Sequence, residues 1–579
     1  MLIALVVIAV IVIAGVAYYT TMPAPGPTPT PTPTMTATAM GPETLVFSVV
    51  GAHWAMVKMG PDPALDTAVC GYIPLLYETL FEYDPVALQS GQYKIIPWLA
   101  QSYSASPDGL HWTFNLRKGV KFHTGNEMTA DDVVYSYKRF YFGDWTAITN
   151  YLWAPQFISM PMNIATIEKT DDYTVTITLK ARIPTFTEFL AQTQWSIVDS
   201  KAVQAHEKTL PEFGNAKDLG YTWLNNENND AGTGTYVIKR IDQTIRYEFT
   251  LFDGWWGGPP ELKLNKPVFK NIVYIPVNDD TDGRLKILKG DVQIISDFLA
   301  ETVAALKTQP GIATSTTYAP DGMGLWMHCV NGPLKNWQVR KAIKMAINYT
   351  AMADVVNAGG SVVAQGHFLA GMVGWEKNAR YFPDAQYAEA NALLDKAGYP
   401  VKSDGFRFHI NMYLRPAPRW GLDFTKIGLA IRADLANIKI DAVPVVLEVS
   451  EYYSHVYGPS EEMMWVQPFN TNLHTSPIEL LSYWAAPNGG PFYFGYNRTT
   501  QPPEFIDKTD ELFNKALAEP DDAARVPIMQ ELDAYVLEHG PYVTVADANY
   551  HVAFSAHLKG FFWGPKLLLP ALFFTTWQA

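Results

Sequence analysis

Cysteine is nearly absent: Cys70 and Cys329 are the only two in 579 residues. That excludes a disulfide-built scaffold and a cysteine-rich zinc centre, leaving either one bridge or two buried thiols. Positive charge is also short. Lys and Arg number 43 against 57 Asp and Glu, a formal net charge of -14, and this excludes nucleic acid, which is gripped through basic surface. The 12 histidines show no H-x-H or H-E-x-x-H spacing, which argues against a metal held by protein ligands. No G-x-S-x-G, P-loop or G-x-G-x-x-G stands in a suitable context, and acidic pairs such as Asp131-Asp132 are explained by helix capping. The chain therefore reads as a non-enzyme without a cofactor.

Hydrophobic residues make up 48% and charged residues 17%, a globular composition long enough for two or three domains. Leu2 to Tyr19 is uninterrupted apolar sequence, and as a helix it is about 27 Å long, roughly one hydrocarbon core. No basic residue precedes it and no small-x-small site follows closely, so an uncleaved transmembrane anchor is expected rather than a signal peptide. The run is also similar to pilin-type apolar helices, which leaves self-assembly through Leu2 to Tyr19 open. Residues 20–41 (TTMPAPGPTPTPTPTMTATAMG) form a Thr/Pro-rich linker, extended by its prolines. Anchor plus stalk suits a cell without an enclosing outer membrane, such as an archaeon. Asn348-Tyr349-Thr350 and Asn497-Arg498-Thr499 are glycosylation sequons that fit an exported protein, although Asn348 also fits a helix cap.

Residues 97–142 carry the most information. Ser106-Pro107-Asp108-Gly109 is a turn. His111 to Arg117 then alternates, with Trp112, Phe114 and Leu116 on one face. Gly119 is expected to turn the chain into a second run, Val120 to Phe122, completing a hairpin. Thr129 with Asp132 predicts a capping box, and Val133, Val134, Tyr137 and Tyr141 make one helical face.

This stretch closely resembles the signature of the family-5 extracellular solute-binding proteins, the oligopeptide, dipeptide and nickel class that serves ABC importers. The likeness continues in Asp62 to Asp66 (DPALD), Leu75 to Asp84 (LLYETLFEYD), Lys169 to Leu179, Gly232 to Arg240 (GTGTYVIKR), Phe252 to Pro260 (FDGWWGGPP), Ile272 to Ile295, Asn336 to Met345, Asp384 to Tyr399 and Ile427 to Ile440. It covers Leu45 to the C-terminus.

The resemblance implies an α/β, two-lobed periplasmic-binding-protein fold of class II, or cluster C, with an extra subdomain. Lobe one is expected at 42–320 plus 541–579, its subdomain at 96–180, and lobe two at 321–540. Cargo would bind between the lobes and be delivered to membrane permease subunits. Peptide-binding relatives use an acid in a "W-x-x-DY-x-(D/E)P" segment to hold the peptide ammonium. Here the match is Trp465-Val466-Gln467-Pro468-Phe469-Asn470, and Pro468 replaces that acid. Burying an ammonium without a partner charge is costly, so the cargo is either a peptide captured by Glu448, Glu451 or Glu461, or an oligosaccharide stacked on aromatics. The candidate ligand-binding residues are Trp465, Gln467, Phe469, Asn470, Trp54, Trp326, His328, Thr233 and Gly234. The polar run Asn225 to Asp230 (NNENND) reads as a loop rather than a calcium site.

Overall fold

The computed structural model describes residues 43–578, except 52–60, 66–71, 91, 93, 144–163, 211–215, 227, 243–245, 358–364, 369–371, 376–380, 417–420, 457–461, 469–494 and 564–568. The anchor and linker expected over 1–41 therefore lie outside the described residues, as do Cys70, Trp54, Phe469, Asn470 and Glu461. Among the described residues no helix is long and apolar enough to cross a membrane.

The strands used below, in chain order, are β1 (Thr44–Val49), β2 (Ala100–Ala105), β3 (His111–Leu116), β4 (Ile164–Asp171), β5 (Thr174–Leu179), β6 (Tyr236–Asp242), β7 (Arg246–Leu251), β8 (Asn271–Tyr274), β9 (Ile294–Ser296), β10 (Ile312–Met327), β11 (Phe408–Leu414), β12 (Ile440–Val446), β13 (Met463–Pro468) and β14 (Tyr542–Ser555). The helices used below are α1 (Ile73–Leu76), α2 (Ala130–Phe142), α3 (Asp280–Lys289), α4 (Trp337–Ala346), α5 (Tyr387–Lys396), α6 (Phe424–Asn437), α7 (Val449–Val456), α8 (Pro503–Ala518) and α9 (Asp522–His539).

Ten strands join in one sheet, in the order β6-β7-β8-β1-β9-β14-β10-β13-β11-β12. The sheet has two halves, and only β10 and β14 belong to both. Their antiparallel pairing is irregular between Tyr318 and Gly322, and again between Met323 and Gly324. Bulges bend and twist a strand, so the two crossing strands change course at one level. This is the two-lobed α/β arrangement expected from the sequence.

Local chemistry accounts for the elements. Asp279 caps α3 by accepting from the Asp282 amide, and Gly290 ends it in the left-handed conformation at φ 78°, where glycine lacks the Cβ penalty. Asn336 caps α4, and Thr129 with Asp132 forms the expected capping box of α2. Asn348 Oδ1 accepts from the Ala351 amide at 3.0 Å, the cap read from the sequence.

The separate four-stranded sheet runs β2-β3-β5-β4. It corrects one expectation. The Ser106–Gly109 turn joins β3 to the upstream strand β2, whereas Val120 to Phe122 contributes only a Lys121–Glu127 bridge. The run after Gly119 is too short to compete with the five-residue pairings that β2 and β5 offer β3. Phe114, Val175 and Ile177 face a core shared with Val133, Tyr137 and Trp195. Arg139 of α2 is buried there too; its guanidinium grips the Asp62 carboxylate through both terminal nitrogens.

Candidate functional site

Strand direction locates the site. β1 runs parallel to β8 and β9, with Val49 beside Ser296. β9 is antiparallel to β14, pairing Ile295 with Ala553, so the carboxyl ends of β1 and β9 point toward the other half of the sheet. That half points back. β13 is antiparallel to β10, pairing Met323 with Pro468, and β11 lies parallel to β13. The carboxyl ends at Leu414 and Pro468 therefore face those at Val49 and Ser296 across the bulged part of the crossing strands. Ligands of open α/β sheets bind outside carboxyl strand ends, and here two sets of ends converge.

Opposite charges stand at these ends. Asp297 directly follows β9, is 4% exposed, and holds φ at 65°, a left-handed conformation uncommon for a residue with a side chain. Arg415 directly follows β11 and is 3% exposed. Its guanidinium lies 5.7 Å from the Phe424 ring and 5.6 Å from that of Tyr453, placements that favour a cation. Sequence reading passed over both. The available signal was a charged residue closing an apolar strand, in IISD and MYLR.

Of the described candidate residues, Gln467 alone reaches this region, half-buried at the end of β13. Trp326 and Trp465 pair across β10 and β13, with ring centroids 6.1 Å apart and planes 10° apart. They sit in the core that Tyr452, Leu512, Phe513, Met529 and Leu532 of α7, α8 and α9 complete. Trp465 is fully buried, so in this form it presents no surface to a cargo. Trp326 donates its indole N–H to the Gln467 carbonyl at 3.1 Å. His328 bonds through its backbone to Met463, at the far end of β13. Glu448 and Glu451 are exposed beside or on α7.

Thr233 and Gly234 lie elsewhere. They precede β6, whose start pairs with Leu251 of β7; Thr250 of β7 in turn pairs with Asn271 of β8, beside Thr44 of β1. They therefore sit at the amino end of the parallel strands, opposite the converging ends. Their groups are used internally. Gly234 donates its N–H to Leu76 and accepts at its carbonyl from His123, while the Thr233 hydroxyl donates to Glu78 at 2.8 Å. A Cβ at Gly232 would come 1.9 Å from the Leu76 carbonyl, and one at Gly234 would come 2.4 Å from that of Leu75, so the turn requires glycine at both.

Glu78 is the centre of this second cluster. One carboxylate oxygen accepts from the indoles of Trp98 at 2.9 Å and Trp255 at 3.1 Å. The other accepts from Trp256 at 2.9 Å and from Thr233. Burial raises the Glu78 pKa, partly offset by these four donors. Asp230, in the loop read as polar, accepts from the Gly232 amide and meets His123. Among the described residues no group of three or more His, Cys, Asp or Glu side chains is arranged to hold a metal.

Two α/β halves of one sheet, joined by β10 and β14, bring their carboxyl strand ends together in a two-lobed architecture. The chain belongs to the family of bacterial extracellular solute-binding proteins, family 5, whose middle region matches residues 94–491. It is 28% identical over 418 residues to di/tripeptide-binding protein 1 of Pseudomonas aeruginosa, covering 68% of this chain and 73% of that protein. It is 25% identical over 541 residues to heme-binding protein A of Haemophilus influenzae, covering 88% and 89%. Its fold matches that of the periplasmic binding protein DppA from Helicobacter pylori in complex with the peptide STSA, with a TM-score of 0.75, 22% identity and coverage of 93% and 98%.

Proposed function

We propose that this protein is the substrate-binding component of an ABC importer, taking short peptides between its lobes and passing them to permease subunits. The observation that carries this reading is the convergence of carboxyl strand ends at the crossing of β10 and β14. Asp297 and Arg415 suit the two charged termini of a peptide, an acid for its ammonium and a guanidinium for its carboxylate. They supply the charges that Pro468 does not. Gln467, half-buried at the end of β13, offers a neutral hydrogen-bonding group. The names of a di/tripeptide-binding relative and of a peptide-bound structural neighbour support the same cargo class.

The lobes divide at the crossing strands. Lobe one ends near Tyr318 to Gly322, and the chain returns to it near Asp547 to Asn549, where the pairing is irregular. On this reading the chain returns to lobe one a few residues after the boundary at 541 expected from the sequence. The subdomain at 96–180 and lobe two up to the return complete the division. Leu2 to Tyr19 tethers the whole to the outer face of the cytoplasmic membrane.

A thermal-shift screen of the full-length protein in detergent, against di- and tripeptides and an oligosaccharide panel, tests the reading. A ligand at 100 times its Kd stabilises by about 2.7 kcal/mol. Peptides are expected to raise the Tm. A shift by oligosaccharides alone would assign sugar as cargo and overturn the peptide reading.

A further inference from the structure

The His123 side chain is 4% exposed at the seam between the subdomain and the sheet of lobe one. It follows Phe122, in the loop between β3 and α2, and its neighbours come from two other segments, 230–234 and Phe252. Its Nε2 lies 2.9 Å from the Gly234 carbonyl oxygen. Its Nδ1 lies 2.8 Å from Asp230 Oδ1, in an ion-pair contact. Its backbone N–H donates to the Gly232 carbonyl at 2.8 Å. The Phe252 ring meets the imidazole edge-on, 4.8 Å away.

The chemistry of these partners determines the protonation state. A carbonyl oxygen only accepts, so Nε2 carries a hydrogen. Asp230 already accepts from the backbone amides of Gly232 and Ile238, and its Oδ1 stands against Nδ1 at ion-pair distance without hydrogen-bond alignment, so a hydrogen on Nδ1 meets that oxygen favourably where a lone pair would repel it. A neutral imidazole has one N–H, and either tautomer would set a lone pair against an oxygen. Only the imidazolium satisfies both contacts.

We propose that His123 is a protonation-dependent latch that docks the four-stranded subdomain on lobe one, closed by the imidazolium and loosened when it loses a proton. The other charges facing the latch are consistent with this. Glu78, behind the Thr233 turn, adds negative potential, and Asp199 holds the adjoining loop by accepting from Thr124 and from Asn126. Tyr77 stays neutral, pushed up by burial and by Asp230. Burial disfavours the charged imidazole, but Asp230, the Gly234 carbonyl and Glu78 outweigh it, and the pKa of His123 is raised. The latch energy is thus fully present below the ordinary histidine value and is lost as pH rises through the raised one.

Amide hydrogen exchange of the full-length protein, corrected for intrinsic rates, from about pH 6 to about pH 9 tests this. Protection of peptides covering 120–126 and 230–236 is expected to fall with rising pH, while that of β10 and β14 holds. In His123→Gln the same peptides should be poorly protected at every pH. Wild-type protection that does not change with pH, or an equal pH dependence in His123→Gln, would overturn the latch. Should that variant fail to fold, the ring signals of labelled histidine in the wild-type protein decide: His123 seen as neutral imidazole at about pH 6 overturns the proposal. None of these readouts needs a cargo.

Discussion

The Lys344 ammonium donates to the Gly540 carbonyl at 2.7 Å from a site with no solvent exposure, and it bonds the Leu537 carbonyl as well. Both carbonyls belong to the end of α9, where helix carbonyls lack partners and the dipole favours a cation. Arg340, one turn earlier on α4, donates to the Gly540, His539, Leu334 and Lys335 carbonyls and to Gln501. Two buried basic side chains from one helix thus fix the residue that introduces the crossing strand β14. Replacing Lys344 by Met leaves the Leu537 carbonyl buried and unbonded, at about 1–3 kcal/mol, and leaves the Gly540 carbonyl only its bond from Arg340. Urea unfolding should show a loss of that order, and an unchanged midpoint would contradict the role assigned to Lys344.

Asp62 and Arg139 form a second buried pair, with Arg139 Nε also donating to the Leu219 carbonyl at 2.7 Å. Removing one partner strands the other charge. Asp62→Ala is expected to cost about 3–5 kcal/mol in chemical denaturation; a cost below about 1 kcal/mol would mean the charge is relieved by solvent.

Glu78→Gln keeps the shape of the side chain but turns two acceptor sites into donors. With four donors already facing it, two of the Trp98, Trp255, Trp256 and Thr233 groups lose their acceptor. Each orphaned donor costs about 1–3 kcal/mol. Near-UV circular dichroism should change in the tryptophan bands together with stability. An unaltered spectrum would show that the indoles do not depend on the carboxylate.

Much of this was legible beforehand. Capping residues, glycine stops and alternating strands are local, so α2, α3, α4, α5 and β3 follow from neighbouring residues. The partner of β3 was misjudged because pairing is a competition among distant segments. The convergence of strand ends depends on β10 and β14, which lie more than two hundred residues apart in sequence, and no local pattern reports it. Aromatic residues drew attention as cargo platforms, yet Trp465 completes a core and three other tryptophans serve Glu78. Amphipathic rings suit both tasks, and only packing distinguishes them.

Cys329 is wholly buried, and burial raises its thiol pKa to about 11. At about pH 8 only a small fraction is thiolate, the reactive form. Alkylation of the peptide containing Cys329 should be undetectable in the native protein and complete in denaturant; native labelling would contradict the buried assignment.

Capture of a peptide between two lobes is the central claim, and a distance across them tests it most directly. Leu285 on α3 and Leu429 on α6 are each 53% exposed and belong to opposite halves of the sheet. Spin labels at Leu285→Cys and Leu429→Cys, with Cys70 replaced by Ser, report the separation by double electron resonance. With the peptide that raises the Tm most, the distance distribution should narrow and shift. If that peptide binds and the distribution stays as it was without it, closure around the cargo is wrong.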